Sequence, residues 1–312
     1  MTAFKKFGLE ATKRNGMTSL WLGYDYYTVI SDPLIAETVL KTCLEKGYLM
    51  EVFSHLVGNG SVIAPVNIWR PRRKLLTPNF SSKNLQAFVK VFSKQSEILV
   101  ERLASVADKR TFSIWKYFTA YSMDSVCETT LGVQVNAQGL PRCEFLCAFE
   151  QYCALAAARM CRPWPCALPT RAARTAYSAH RDYIWNYIDN IIKMKTEDMK
   201  CEQLSDEMDL QRFLPAASSA PSPQRHAAYM PFSTGPRNCI GYQYGMMSVK
   251  TVLATLIRSY RLLPTPRHAH PAHPPHPLRL KYDIMLRDVD NYMVRLQPRT
   301  GAGGRSTLDT LD

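Results

Sequence analysis

Hydrophobic positions recur at helical spacing over three long stretches of the chain. Leu85, Phe88, Val89, Phe92, Leu99, Leu103 and Val106 line one face of a helix over residues 82–106, with Ser82 as its cap. Tyr183, Ile184, Tyr187, Ile188, Ile191 and Ile192 do the same from Ala179 to Lys195. Met246, Met247, Val249, Val252, Leu253, Leu256 and Ile257 continue a helix that begins near Tyr242. Shorter segments alternate instead. Ser19 to Leu22 and Tyr26 to Ile30 flank Gly23-Tyr24-Asp25, which predicts a hairpin with a three-residue turn. Arg279 to Leu296 alternates in a strand-like way around Asp288 to Asn291. After the hairpin, Ser31 or Asp32 caps a helix that opens at Pro33 and exits at Gly47, just after Lys46. The chain is therefore expected to be mainly α with a small β-sheet.

Composition narrows this picture. A chain of 312 residues with 46% hydrophobic positions buries a sizeable core in one or two domains. No unbroken apolar run is long enough to span a bilayer, and the N-terminus carries no signal-peptide pattern. Nine cysteines, an odd number without C-x-x-C spacing, argue for reduced thiols rather than a disulfide framework. The net charge of +13 points to acidic partners, among them a membrane surface or an acidic redox protein. Nucleic acid is not expected, because no binding motif and no aromatic array accompany the basic residues.

Two stretches carry chemistry. Trp69 and Arg73 lie four apart and share a helical face, so together they reach the edge of a flat anionic ligand. Pro71 fits only a first helical turn, which places the helix start near Ile68 or Trp69. The second stretch is Phe232-Ser233-Thr234-Gly235-Pro236-Arg237-Asn238-Cys239-Ile240-Gly241. A lone cysteine between a Gly/Pro turn and a helix start has its thiolate favoured by backbone amides and by the helix dipole. Gly235 takes backbone conformations closed to other residues. Arg237 presents a fork of donors to a carboxylate, and Gly241 leaves room for a flat ligand against the helix.

This loop resembles the haem-binding loop of the cytochrome P450 monooxygenases, Phe-x-x-Gly-x-Arg-x-Cys-x-Gly, matched by Phe232, Gly235, Arg237, Cys239 and Gly241. The resemblance implies haem b with Cys239 as the axial iron ligand, Phe232 shielding the sulfur, and Arg237, Trp69 and Arg73 at the haem propionates. WRPRRKLLTP and FSTGPRNCIG are most similar to the microsomal branch that includes fatty-acid hydroxylases and insect detoxification enzymes. That branch implies insertion of one oxygen atom from dioxygen into an apolar small molecule, with electrons from NADPH through a flavoprotein reductase. It also implies the cytoplasmic face of the endoplasmic reticulum, although the chain as written, without an anchor, reads as soluble and cytoplasmic. Arg70, Arg72, Lys74, Lys83, Lys90 and Lys94 form a basic face expected to steer such a reductase.

The resemblance covers one domain over residues 1–298, in blocks 15–200 and 209–298, with a deletion junction near 196–209 and a disordered tail at 299–312. Between the blocks, the family's oxygen-activating helix and its Glu-x-x-Arg helix have no counterpart here, so no catalytic residue is assigned. Arg212 would then lack its family partners and turn to solvent or to another acid. Glu128-Thr129-Thr130 imitates the oxygen-activating acid-threonine pair, but no small-residue run precedes it, and packing and capping are its expected roles. The five cysteines between 143 and 166 lack a histidine, and the His-Pro tract at 266–277 is expected to be an extended loop that binds metal only incidentally. The alternatives to an enzyme are a truncated, inactive P450-like fragment and a non-catalytic haem-binding protein.

Overall fold

The computed structural model describes residues 2–22, 24–47, 50, 53–160, 170–202, 230–263, 265, 279–283 and 285–299. Arg212, Cys161, Cys166, the His-Pro tract and residues 300–312 lie outside the described residues. The chain divides into two compact units, the first formed by Met1–Leu85, Cys147–Tyr244 and Lys281–Leu286, the second by the remainder.

In the first unit, helix α1 (Thr2–Lys13) precedes an antiparallel hairpin, β1 (Met17–Leu22) and β2 (Asp25–Ile30). Asp25 pairs with Leu22, so the ladder runs one residue further than the expected three-residue turn allows. Asp32, not Ser31, caps α2 (Pro33–Thr42), its carboxylate accepting from the N–H groups of Leu34 and Ile35 at 2.9 and 2.8 Å. This helix ends five residues before Gly47, because Cys43 already leaves helical geometry at φ −91° and ψ 86°. Glu45 is thereby released to act elsewhere. Its carboxylate accepts from the Val66 N–H at 3.1 Å, capping a helix 21 residues away.

That long-range cap accounts for a difference from the sequence reading. Following the short helix α3 (Ser54–Val57), α4 runs over Val66–Leu76 and so begins ahead of Ile68. Pro71 therefore lies in the second turn, where it leaves the Asn67 carbonyl without its intrahelical donor. Helix α5 (Ser82–Ala104) begins this side of the division and continues into the second unit. Ser82 lies inside it rather than capping it, since the Leu85 N–H donates to the Ser81 carbonyl at 2.9 Å. Helix α6 (Trp115–Val126) belongs to the second unit. The first unit is completed by α7 (Glu144–Met160), from Cys147 onward, and by α8 (Arg171–Glu202). The latter extends beyond Ala179 to Lys195 at both ends, and its N-terminal extension carries the buried Tyr177.

The core of the second unit is built from α5, α6 and α9 (Tyr242–Ser259) around a three-stranded antiparallel sheet ordered β3-β7-β4. Strands β3 (Phe112–Ser113) and β4 (Tyr260–Leu263) are too short for a periodicity to announce them, while β7 (Met293–Pro298) overlaps the predicted alternating segment and runs two residues past its end at Leu296. The strands β5 (Leu280–Asp283) and β6 (Met285–Asp288) form a separate ribbon. Leu99, Leu103, Tyr121, Val252, Leu256, Tyr260 and Leu296 are buried together, and the Tyr260 hydroxyl donates to the Val100 carbonyl at 2.9 Å. Arg299, placed by the sequence reading at the start of the tail, is fixed: its N–H donates to Ser259 and its Nε to Ile257.

The acid-threonine segment is held by hydrogen bonds within the second unit. Buried Asp124 accepts from the N–H groups of Ala137 and Gln138 at 2.6 and 2.9 Å, and Glu128 binds Lys94 and Gln95 at 2.8 and 2.7 Å. The threonine hydroxyls bond back to carbonyls of their own helix. Asp124→Ala would leave two buried N–H groups unpaired, and about 2–4 kcal/mol of stability should be lost. A urea midpoint equal to that of the wild type would contradict this role.

Candidate cofactor-binding loop

The Cys239 loop owes its shape to two residues with positive φ, Ser233 at 63° and Gly235 at 77°. The Cys239 N–H donates to the Phe232 carbonyl at 3.0 Å and the Asn238 N–H to the Gly235 carbonyl at 3.1 Å, so the backbone folds back immediately before α9. Gly235 is required twice over, because any Cβ there would collide with the Leu40 carbonyl at the end of α2. Gly241 is different, since a Cβ would reach the Phe80 ring only at ordinary contact distance, 3.5 Å. The Phe232 ring lies 6.4 Å from that of Tyr242.

Trp69, Arg73 and Arg237 are brought together, but in a different pairing from the one the helix spacing implied. The Arg237 guanidinium stacks over the Trp69 ring, 4.6 Å from its centroid. Arg73 instead turns its fork to Asn238, with Nη1 to the backbone oxygen and Nη2 to Oδ1, both at 2.7 Å. It positions the loop, and Asn238, which no motif singled out, is the receiver. Burial lowers the Arg73 pKa, while the neighbouring Cys239 sulfur opposes that shift.

Arg237 donates from Nη2 to the Ala64 carbonyl, yet its Nε and Nη1 are buried without any hydrogen-bond partner. Burial lowers its pKa and Glu45 opposes the change. Lys46 is also lowered, first by burial and then by Arg237. Two unbonded guanidinium nitrogens beside a second cation are arranged to receive an anion.

Cys239 is an exposed thiol outside any disulfide. Among the described residues, no group of three or more His, Cys, Asp or Glu side chains is placed to hold a metal ion. An iron at Cys239 would thus need its remaining donors from a macrocycle, and an anionic macrocycle suits the Arg237 end of the loop. All six basic residues, Arg70, Arg72, Lys74, Lys83, Lys90 and Lys94, are exposed, and of these Arg72 bonds the Asn59 carbonyl and Lys94 is paired with Glu128. No helix among the described residues is long and apolar enough to cross a membrane.

Comparison with known proteins bears on the same regions. Cytochrome P450 4c21 of Blattella germanica is 31% identical over 147 residues, 46% of this chain and 29% of that one. Cytochrome P450 4c3 of Drosophila melanogaster is 27% identical over 191 residues, 61% of this chain and 36% of that one. The chain thus spans about a third of the length of the curated relatives it matches. The crystal structure of a cytochrome P450 (CYP102L1) superposes with a TM-score of 0.73 at 13% identity, covering 96% of this chain and 98% of that one, which establishes the fold. The family model for cytochrome P450 matches residues 4–210 and 205–287, well over half of the sequence, and the chain belongs to the cytochrome P450 family.

Proposed function

We propose that this chain is a haem-thiolate protein of the monooxygenase type, with Cys239 as the axial ligand of haem b and Arg237 and Trp69 at a propionate. The observation that carries the reading is the pair of buried, unbonded guanidinium nitrogens of Arg237, two residues from an exposed thiol on the same loop. When bound, haem supplies activation of dioxygen for transfer of one oxygen atom to an apolar substrate. The residues of the chain do the holding. Arg73 fixes Asn238 and hence the approach of Cys239, Trp69 supports the Arg237 guanidinium, and Gly241 keeps the start of α9 free of a side chain. Electrons would come from NADPH through a flavoprotein reductase, with the cytoplasmic face of the endoplasmic reticulum as the setting.

A second reading has its own support. The family model matches the chain in two segments, 4–210 and 205–287, rather than one, which agrees with the absence from the sequence of a Glu-x-x-Arg segment and of the small-residue run of the family's oxygen-activating helix. This favours a protein that holds haem without turning over. Reduced carbon monoxide difference spectra of the purified chain test haem-thiolate formation, and product formation with reductase separates the two readings. A thiolate spectrum with coupled product carries the first, whereas the same spectrum without product carries the second.

The propionate assignment has its own measurement. Arg237→Leu should weaken haem binding about 10- to 100-fold, corresponding to the loss of charge-assisted hydrogen bonds. Binding of the dimethyl ester of haem, whose propionates carry no charge, should change far less. Equal losses for both ligands would remove Arg237 from the propionate.

A further inference from the structure

The first unit contains a half-buried aromatic and cationic cluster that the haem loop does not use. His55, on α3, lies with its Nε2 2.8 Å from Nη1 of Arg181 on α8. A guanidinium only donates, so Nε2 is the acceptor and the imidazole is neutral, its proton on Nδ1. Nδ1 itself is buried without a hydrogen bond. The ring stacks on Tyr177 at 4.9 Å, Tyr177 stacks on Tyr152 of α7 at 4.5 Å, and the two hydroxyls are 2.6 Å apart. One turn beyond Arg181, Trp185 Nε1 donates to the Leu56 carbonyl at 2.7 Å. Arg181 and Trp185 therefore clasp α3 at two consecutive residues.

We propose that His55 is a proton-operated latch, holding α3 to α8 while neutral and releasing it when the imidazole takes up a second proton. That proton can only sit on Nε2, where it would turn an accepted hydrogen bond into two donors facing each other on two cations. The groups around the ring offer little compensation. Arg181 and Asp182 face it from α8, but that carboxylate is already paired with Arg181 at 2.7 Å. From α7, Arg159 lies over Tyr177 at 5.1 Å and adds positive charge, and the Tyr152 and Tyr177 hydroxyls are bonded to each other. Arg181 has little freedom to retreat, being held by Asp182 and stacked over the Trp185 ring at 5.0 Å.

Burial, then Arg181, then Arg159 hold the His55 pKa below its ordinary 6.5, against a smaller opposing effect of Asp182. A lowered value means that the open latch binds the proton more tightly than the closed one. The latch is fully closed above pH 6.5 and opens as pH falls toward the lower value of the closed state. A single proton limits the change to about tenfold per pH unit.

Hydrogen exchange of the full chain read by mass spectrometry, corrected for the intrinsic effect of pH, tests the latch. Between pH 7.5 and 5.5, peptides covering residues 53–60 and 177–188 should exchange at least about threefold faster in the wild type. Peptides from residues 86–146 should show no such step. His55→Asn keeps an oxygen able to accept from Arg181 but does not titrate, and should abolish the step. An identical pH response in wild type and His55→Asn overturns the proposal, as does an imidazole resonance titrating at 6.5 or above. Should His55→Asn fail to fold, Arg181→Met provides the second reading. Removing this donor should raise the imidazole pKa and shrink the step, and an unaltered titration overturns the proposal.

Discussion

Cys239→Ser is expected to abolish the thiolate-type spectrum of the haem-loaded chain under reducing conditions with carbon monoxide. A serine hydroxyl is a poor donor to iron and stays protonated near neutral pH. The substitution leaves the loop intact, since the Cys239 N–H to Phe232 carbonyl bond is a backbone contact and the side chain is exposed. The variant should therefore melt with the wild-type apoprotein to within about 0.5 kcal/mol, as surface substitutions generally do. A retained thiolate spectrum in the serine variant would remove Cys239 from the iron.

The second large effect belongs to Gly235. Gly235→Val forces a β-branched residue into φ 77° and drives its Cβ into the Leu40 carbonyl. Left-handed strain and the steric conflict together should cost about 2–4 kcal/mol. The denaturation midpoint should fall with an unchanged slope, and haem uptake should fall with it. Gly241→Ala supplies the contrast. Its Cβ would only touch Phe80, so the apoprotein should keep its stability. Loss of haem uptake in that variant alone would show that Gly241 serves the ligand and not the fold. Equal stability of the two variants would refute the assignment of Gly235 to loop geometry.

Long amphipathic stretches were legible because burial on one face imposes a period on the sequence, and α5 and α9 were recovered for that reason. The loop was legible because its residue types recur at fixed spacing, although only Gly235 is forced by the local geometry. What stayed hidden depended on distant partners. The start of α4 is set by Glu45, a cap from 21 residues upstream that no local pattern records. The bonds of Arg73 to Asn238, 165 residues away, likewise left no local signal. The cation on Trp69 is Arg237, which approaches from the opposite end of the sequence. His55 gave no signal at all, since a lone histidine beside a short helix carries no period, and its role comes from Arg181, 126 residues further on.

The position of β7 has a consequence for synthesis. This strand lies between β3 and β4 and contributes Leu296, fully buried, to the core of the second unit. On the ribosome, α5 and α6 emerge long before β7, so their apolar faces must wait for β7 before the sheet can close. Nascent chains stalled ahead of residue 293 should therefore present an incomplete core to chaperones and proteases, and arrest shortly after residue 298 has cleared the exit tunnel should restore protection.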